Sequence, residues 1–191
     1  MDAQQTHYLT ATEYLEIERH AESRSEYLDG EMFSMAGNSR NHNLICTNLS
    51  RELSLQVKQR PCEVYASDQR IHIPSVGLYT YPDIVVVCGE PEFDDDQLDT
   101  LLNPTLIIEV LSPSTEAYDR GKKFEHYRTI PSFVEYLVVS QTAPLIERYL
   151  RQDDGGGWLF TAVAGLESRI ELPTIRCELA LGEVYEKVKF G

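Results

Sequence analysis

Two carboxylates of this chain sit where carboxylates are costly. The run Tyr79-Thr80-Tyr81-Pro82-Asp83-Ile84-Val85-Val86-Val87-Cys88 is strongly apolar and β-prone, and so is Pro104-Thr105-Leu106-Ile107-Ile108-Glu109-Val110-Leu111. Continuous Val/Ile/Leu runs of this kind read as strands covered on both faces. An ionised carboxylate in such a strand needs a cation, a metal or strong hydrogen bonds. Asp83 and Glu109, on successive strands, therefore point to a shared metal site.

The 191 residues make one domain by length, and 42% apolar residues suffice for a core. The longest apolar runs are strand-sized, so no membrane span is expected. Met1-Asp2-Ala3-Gln4-Gln5 lacks a basic region followed by an apolar stretch, so the expected location is cytoplasmic. Cys46, Cys62, Cys88 and Cys177 form no C-x-x-C pair and have no zinc-finger spacing. Cys46 and Cys88, in apolar segments, are expected to be buried free thiols, kept reduced in that compartment.

The net charge of −14 weighs against tight non-specific nucleic-acid binding, which depends on Lys and Arg. The charge is uneven. Residues 1–31 and 90–99 each carry a net −6, whereas 40–75 and 119–131 each carry a net +2. The segments around the suspected site are locally basic, and the acidic periphery aids solubility.

Thr10-Ala11-Thr12-Glu13 is a capping box and opens a helix to about residue 22. Asp29-Gly30, flanked by Ser25–Leu28 and Glu31–Ser34, predicts a tight hairpin. Leu44, Ile45, Leu49, Leu53 and Val57 have helical spacing, and Pro61 closes that helix. Val64–Ile73 reads as a strand, followed by the Asp83 and Glu109 strands with a long, acidic, mobile loop between them. Ser114 or Thr115 is placed to cap a helix over 116–129, ended by Pro131. Phe133–Val139 reads as a strand, Leu145–Arg151 and Trp158–Ala164 as a hairpin around Gly155–Gly157, and 180–188 as a short helix. The order over residues 40–140 is thus an α/β arrangement, α-β-β-β-α-β, with a mixed central sheet flanked by helices. A helix and hairpin over 10–35 precede it, and a hairpin and short helix over 145–188 follow.

Metal-dependent phosphodiester cleavage needs carboxylates to hold Mg²⁺ or Mn²⁺ at the phosphate and a cation to offset developing charge. Pro82-Asp83 followed one strand later by Glu109-Val110-Leu111 resembles the PD-(D/E)XK nuclease superfamily over roughly residues 40–140. A finer resemblance, to the Uma-type family of bacterial restriction endonucleases, spans nearly the whole chain. It rests on Glu26-Tyr27-Leu28-Asp29-Gly30-Glu31, His42, Tyr81-Pro82-Asp83, Asn103-Pro104, Glu109 through Thr115, Asp119-Arg120-Gly121, Lys123, Tyr127 and Glu135-Tyr136. The resemblance implies a restriction-endonuclease-like fold and a Mg²⁺- or Mn²⁺-dependent DNA endonuclease. Asp83, Glu109 and the Val110 carbonyl would bind the metal.

One departure matters. The superfamily lysine belongs two residues after the glutamate, and Leu111 stands there. Asp119, Lys123 and Tyr127 share a helical face at i, i+4 and i+8, and the resemblance implies that Lys123 is the migrated cation. Tyr127 and Asp119 would hold it, and His42 would assist from the opposite helix. Glu26 reads as a further acid lining the cleft or as half of a salt bridge. Asp68, in an otherwise strand-like run, is a supporting candidate, and its neighbours Gln69 and Arg70 are candidates for DNA contact.

Each residue taken alone has a plainer reading: Asp83 as a strand or turn cap, Lys123 and Asp119 as a surface pair, Tyr127 as core. Their order along the chain is what favours a site. Asp94–Asp96 lacks calcium-loop spacing, Gly155–Gly157 lacks a phosphate-loop Lys-Ser/Thr, and Gly37–Asn41 lacks the second glycine of a nucleophile elbow. The competing reading is an inactive module on the same fold that binds nucleic acid or protein, which Leu111 and the acidic charge favour. A homodimer suits either, since symmetry is a natural way to cut both strands of a duplex.

Overall fold

The computed structural model describes residues 8–35, 37–153 and 157–190. The first five residues of the chain, and Gly155 and Gly156 of the glycine-rich turn, lie outside them. The elements in chain order begin with α1 (Ala11–His20), β1 (Ser25–Leu28), β2 (Glu31–Ser34), α2 (Arg40–Val57), β3 (Cys62–Ala66), β4 (Arg70–Ile73) and β5 (Leu78–Thr80). They continue with β6 (Ile84–Cys88), β7 (Thr100–Leu101) and β8 (Leu106–Leu111). Next, α3 (Glu116–Tyr118) runs through a π-helical segment (Asp119–Lys123) into α4 (Phe124–Tyr127). Then come β9 (Glu135–Ser140), β10 (Leu145–Arg151), β11 (Trp158–Ala164), β12 (Arg169–Leu172), β13 (Cys177–Ala180) and α5 (Leu181–Val184).

The central sheet has six strands in the order β11-β10-β9-β8-β6-β3. Only β8 and β9 run parallel within it, joined by the α3–π–α4 crossover. The series α2, β3, β6, β8, α3–α4, β9 is the expected α-β-β-β-α-β core. The buried faces follow the two-residue period of β8. Leu106, Ile108 and Val110 join α2, the β12–β13 hairpin and α5 in one apolar cluster. Ile107 and Leu111 join Tyr127, Phe133 and Tyr136 in another. Burial on both faces accounts for the unbroken apolar runs.

A second sheet of five strands, β2-β1-β5-β4-β7, was not legible from the pattern. The stretch 64–73, expected as one strand, breaks into β3 and β4, with Ser67 at φ 25° in the turn. The stretch 79–88 breaks into β5 and β6 at Pro82-Asp83. Both breaks are crossings from one sheet to the other, and the Ser67 N–H donates to the Asp83 carbonyl at 2.8 Å where they meet. Proline disfavours continuation of a ladder because it offers no N–H. The β1–β2 turn is as expected, with Asp29 and Gly30 at φ 49° and 92°, the positive values that a tight hairpin turn demands.

Three further expectations are corrected. The acidic loop is tied down: Asp99 and Asp95 receive Arg19 at 2.8 and 2.6 Å, and Asp94 lies 3.2 Å from His72. Cys88 is not a free thiol but is bonded to Cys62, because the β3–β6 register sets the two directly opposite with Cα atoms 4.0 Å apart. Thr115 stands at the N-cap of α3, but its side chain makes no capping bond; instead the Ser112 hydroxyl accepts the Thr115 N–H at 3.2 Å. Cys46 is buried and free as expected.

Candidate active site

The site forms where β6 and β8 part. Their pairing ends at Ile84 and Ile108, while β8 runs on beside β9 to Leu111. Past that end the Val110 N–H has no β6 carbonyl to meet. The Asp83 side chain takes its place, with Oδ2 accepting from Val110 N at 2.8 Å. In return the Asp83 N–H donates to Glu109 Oε2 at 3.4 Å. The sheet crossing at Pro82-Asp83 therefore fixes both carboxylates and leaves Val110 on the wall of an open cavity of about 730 Å³.

Lys123 reaches this place from the π segment. Its ammonium lies 2.9 Å from Glu109 Oε1, 3.4 Å from Glu26 Oε1 and 3.8 Å from Asp119 Oδ1. Leu111, at the usual lysine position, is buried in the core. Tyr127 is buried beneath Glu109, and its hydroxyl donates to Oε1 at 2.7 Å. The Tyr136 hydroxyl donates to the Asp119 carbonyl at 3.1 Å and anchors the π segment to β9. From α2, His42 Nε2 lies 3.1 Å from Asp83 Oδ2. Ser39 caps that helix end by accepting the His42 N–H at 3.1 Å. Gln141 links Ser39 to the Leu111 carbonyl, tying α2 to the end of β8.

The structure thus brings together Glu26, His42, Asp83, Glu109, Val110, Asp119, Lys123 and Tyr127. Asp68 is not among them: it is exposed and pairs with Arg24 at 3.5 Å. Arg70, read as a DNA contact, is buried between Tyr81 at 2.8 Å, Thr100 at 2.9 Å and Asp99 at 3.0 Å. Its alternation within β4 turns it into the protein rather than toward the cavity. Sequence reasoning missed Gln141, Thr80 and Tyr118. Thr80, whose hydroxyl donates to Glu26, shares the Asp83 run and was open to notice. Tyr118 follows the Ser112–Thr115 turn and lines the cavity.

The electrostatics are those of a site with surplus negative charge. Burial pushes the Glu109 carboxyl up to about 8; Lys123 opposes this, while Asp83 and Asp119 add to it. Burial likewise raises Asp119, against the pull of Lys123. Burial disfavours the Lys123 ammonium, but Glu109, Glu26 and Asp119 together outweigh it and hold its pKa well above that of a free lysine. Four carboxylates gathered round one lysine fit a divalent cation, whose charge would reverse the upward shifts of Glu109 and Asp119. The donors that fit a hard, oxygen-seeking ion are Asp83, Glu109 and the Val110 carbonyl. His42, Cys46 and Asp83 also place donor atoms within 4.8 Å of one another. Burial raises the Cys46 thiol, so that it stays protonated, which leaves His42 and Asp83 as the useful donors of that group.

Comparison with known proteins identifies the family and the fold. A family described as "Uma2: Putative restriction endonuclease" matches residues 11–183. The chain belongs to this Uma2 family. An uncharacterized protein of Synechocystis sp. (strain ATCC 27184 / PCC 6803 / Kazusa) is 42% identical over 166 residues, covering 87% of this chain and 93% of that one. A second uncharacterized protein of the same organism is 38% identical over 182 residues, covering 95% and 94%. A crystal structure from Anabaena variabilis ATCC 29413, described as a putative nuclease belonging to DUF820, superposes with a TM-score of 0.76 at 17% identity. It covers 95% of this chain and 99% of that chain, and at that identity the likeness shows the fold. Among the described residues, no helix is long and apolar enough to cross a membrane.

Proposed function

We propose that this Uma2 protein is a metal-dependent DNA endonuclease with its active centre at Asp83, Glu109 and Lys123. The observation that carries the reading is the 2.9 Å approach of Lys123 to Glu109. It supplies, from a helix, the cation that Leu111 cannot supply from β8. Mg²⁺ or Mn²⁺ held by Asp83, Glu109 and the Val110 carbonyl would provide Lewis-acid activation of the phosphate and its attacking water.

The protein side of the mechanism follows from placement. Lys123, shielded from solvent, is set to orient the attacking water and to offset charge developing on the phosphoryl oxygens. Glu26 and Asp119 hold the lysine, and Tyr127 holds Glu109 through its hydroxyl. His42 keeps Asp83 in place through Nε2, 3.1 Å from Oδ2, and assists the site from α2. The unit we infer to act on DNA is a homodimer.

A plasmid and oligonucleotide cleavage assay with Mg²⁺ or Mn²⁺ tests the reading. Asp83→Ala and Glu109→Ala are expected to abolish cleavage. Lys123→Ala should lower kcat by about 100-fold or more, the usual loss of a charge-stabilising group. Cleavage that persists in all three variants rules the reading out.

A further inference from the structure

The cavity is poorly built to attract a phosphate backbone by charge. Four of the carboxylates that line it are Glu26, Asp83, Glu109 and Asp119, and its lysine and arginine are Lys123 and Arg40. Lys123 is committed to three of those acids. A divalent ion would offset two of the negative charges and no more. The chain as a whole carries −14, which opposes approach of a phosphate backbone, and the local excess of Lys and Arg in 40–75 and 119–131 is only +2 each. Whatever holds a nucleic acid here must find another source of affinity.

The mouth of the cavity offers one. Phe33 and Met35 line it while remaining 48% and 39% exposed. Phe33 lies in β2, the edge strand of the five-stranded sheet, directly opposite Glu26 of β1. Paired residues of adjacent strands share a face, so the ring stands beside the carboxylate that is 3.4 Å from the Lys123 ammonium. The Met35 N–H donates to the Arg24 carbonyl at 3.0 Å, which fixes the strand end just past Phe33. An exposed aromatic ring on a fixed strand next to a phosphate-processing centre matches the stacking platforms of proteins that bind unpaired bases, where each base has a π face to offer.

We infer that Phe33, with Met35 beside it, is a stacking platform for an unpaired base flanking the scissile phosphate, and that the substrate is single-stranded or locally opened DNA rather than an intact duplex. This rests on the nuclease reading for the phosphate, but it depends on a separate interaction. In a closed duplex the base faces are stacked on one another and cannot lie on Phe33. In an opened strand the face is free, and the apolar contact replaces the missing backbone charge.

The test is equilibrium binding, read by fluorescence anisotropy. A labelled single-stranded oligodeoxynucleotide and its duplex are compared, with Ca²⁺ in place of Mg²⁺, and with intact protein and its Phe33→Ala, Phe33→Leu and Phe33→Trp variants. The single strand should bind more tightly than the duplex. Phe33→Ala and Phe33→Leu should weaken single-strand binding by about 10-fold, the scale of one base–aromatic stack, and Phe33→Trp should retain it. An oligonucleotide of abasic sites should erase the difference between wild type and Phe33→Ala. The salt slope should be shallow, about −2 or less in magnitude, in keeping with so few available cations. Equal binding by wild type and Phe33→Ala, or a preference for duplex, overturns the inference. Cleavage assays on the same variants separate the two readings. Phe33-dependent binding without cleavage keeps the platform and removes the nuclease; cleavage indifferent to Phe33 does the reverse. Absence of binding to any of these probes overturns the platform outright.

Discussion

Glu109 receives the Tyr127 hydroxyl and the Lys123 ammonium on Oε1, and the Asp83 N–H on Oε2. Even so, its pKa is pushed up from 4.5 to about 8 by burial, with Asp83 and Asp119 adding repulsion. The sign of the pH effect follows. The folded, metal-free protein keeps this proton while the unfolded chain releases it above about 4.5, so its contribution to stability is full at low pH and lost as pH rises through about 8. A cation that binds the carboxylate must displace the proton, so metal affinity should climb over the same range. The expected outcome is a Mn²⁺-induced rise in Tm that grows between pH 6 and pH 8, and that is absent in Glu109→Gln. A pH-independent Tm shift would show that Glu109 is not a ligand. Tyr127→Phe removes a hydrogen bond that favours the ionised form. It should displace the pH profile of metal binding to higher pH and reduce kcat by about 10- to 100-fold, the usual effect of losing a group that orients a metal ligand.

The elements show where the sequence could and could not be read. The α-β-β-β-α-β order was legible because apolar period distinguishes α2 from β6, β8 and β9. Asp83 and Glu109 were legible because a charge stands out against Val and Ile. The migrated lysine came from family pattern, and its helical spacing was right in direction, although the turn from Asp119 to Lys123 is a π segment. Such wider turns recur at functional sites, and nothing in Asp119-Arg120-Gly121-Lys122-Lys123 marks one. The second sheet was hidden because its strands are short and continuous in sequence with those of the first. The Cys62–Cys88 bond was hidden because partner choice is a matter of register, which depends on contacts across the fold rather than on local sequence. That bond closes a separation of 26 residues at the end of β6 opposite Asp83. Replacing both cysteines by serine, or adding reductant, should lower unfolding free energy by about 3 kcal/mol. Activity under native conditions should be retained, because the site lies at the other end of the strand. Denaturant unfolding with and without reductant measures the first, and the cleavage assay measures the second.

At the scale of the whole molecule, the question is how a chain of net charge −14 could meet a second copy of itself. Like charges oppose most pairings of its surface. The outer edge of the central sheet is different. β11, Trp158-Leu159-Phe160-Thr161-Ala162-Val163-Ala164, carries no charge and no proline, the devices that usually guard an edge strand. Leu159 and Phe160 are 49% and 52% exposed. The strand also complements itself in size. Antiparallel pairing of two copies about Thr161 sets Trp158 against Ala164, Leu159 against Val163 and Phe160 against Ala162, large against small at each step. Such pairing would extend two six-stranded sheets into one and meet the open backbone groups of both edges. A homodimer formed this way should appear in sedimentation equilibrium at micromolar concentration. Phe160→Lys combined with Ala162→Lys should yield monomers, because cross-strand like charges are set close together in that register. Both positions are exposed in the single chain, so the variant should keep its fold and its cleavage per active site on a single-stranded substrate. If wild type sediments as a monomer, or the lysine pair leaves a dimer intact, β11 is not the contact, and the absence of charge on this edge needs another cause.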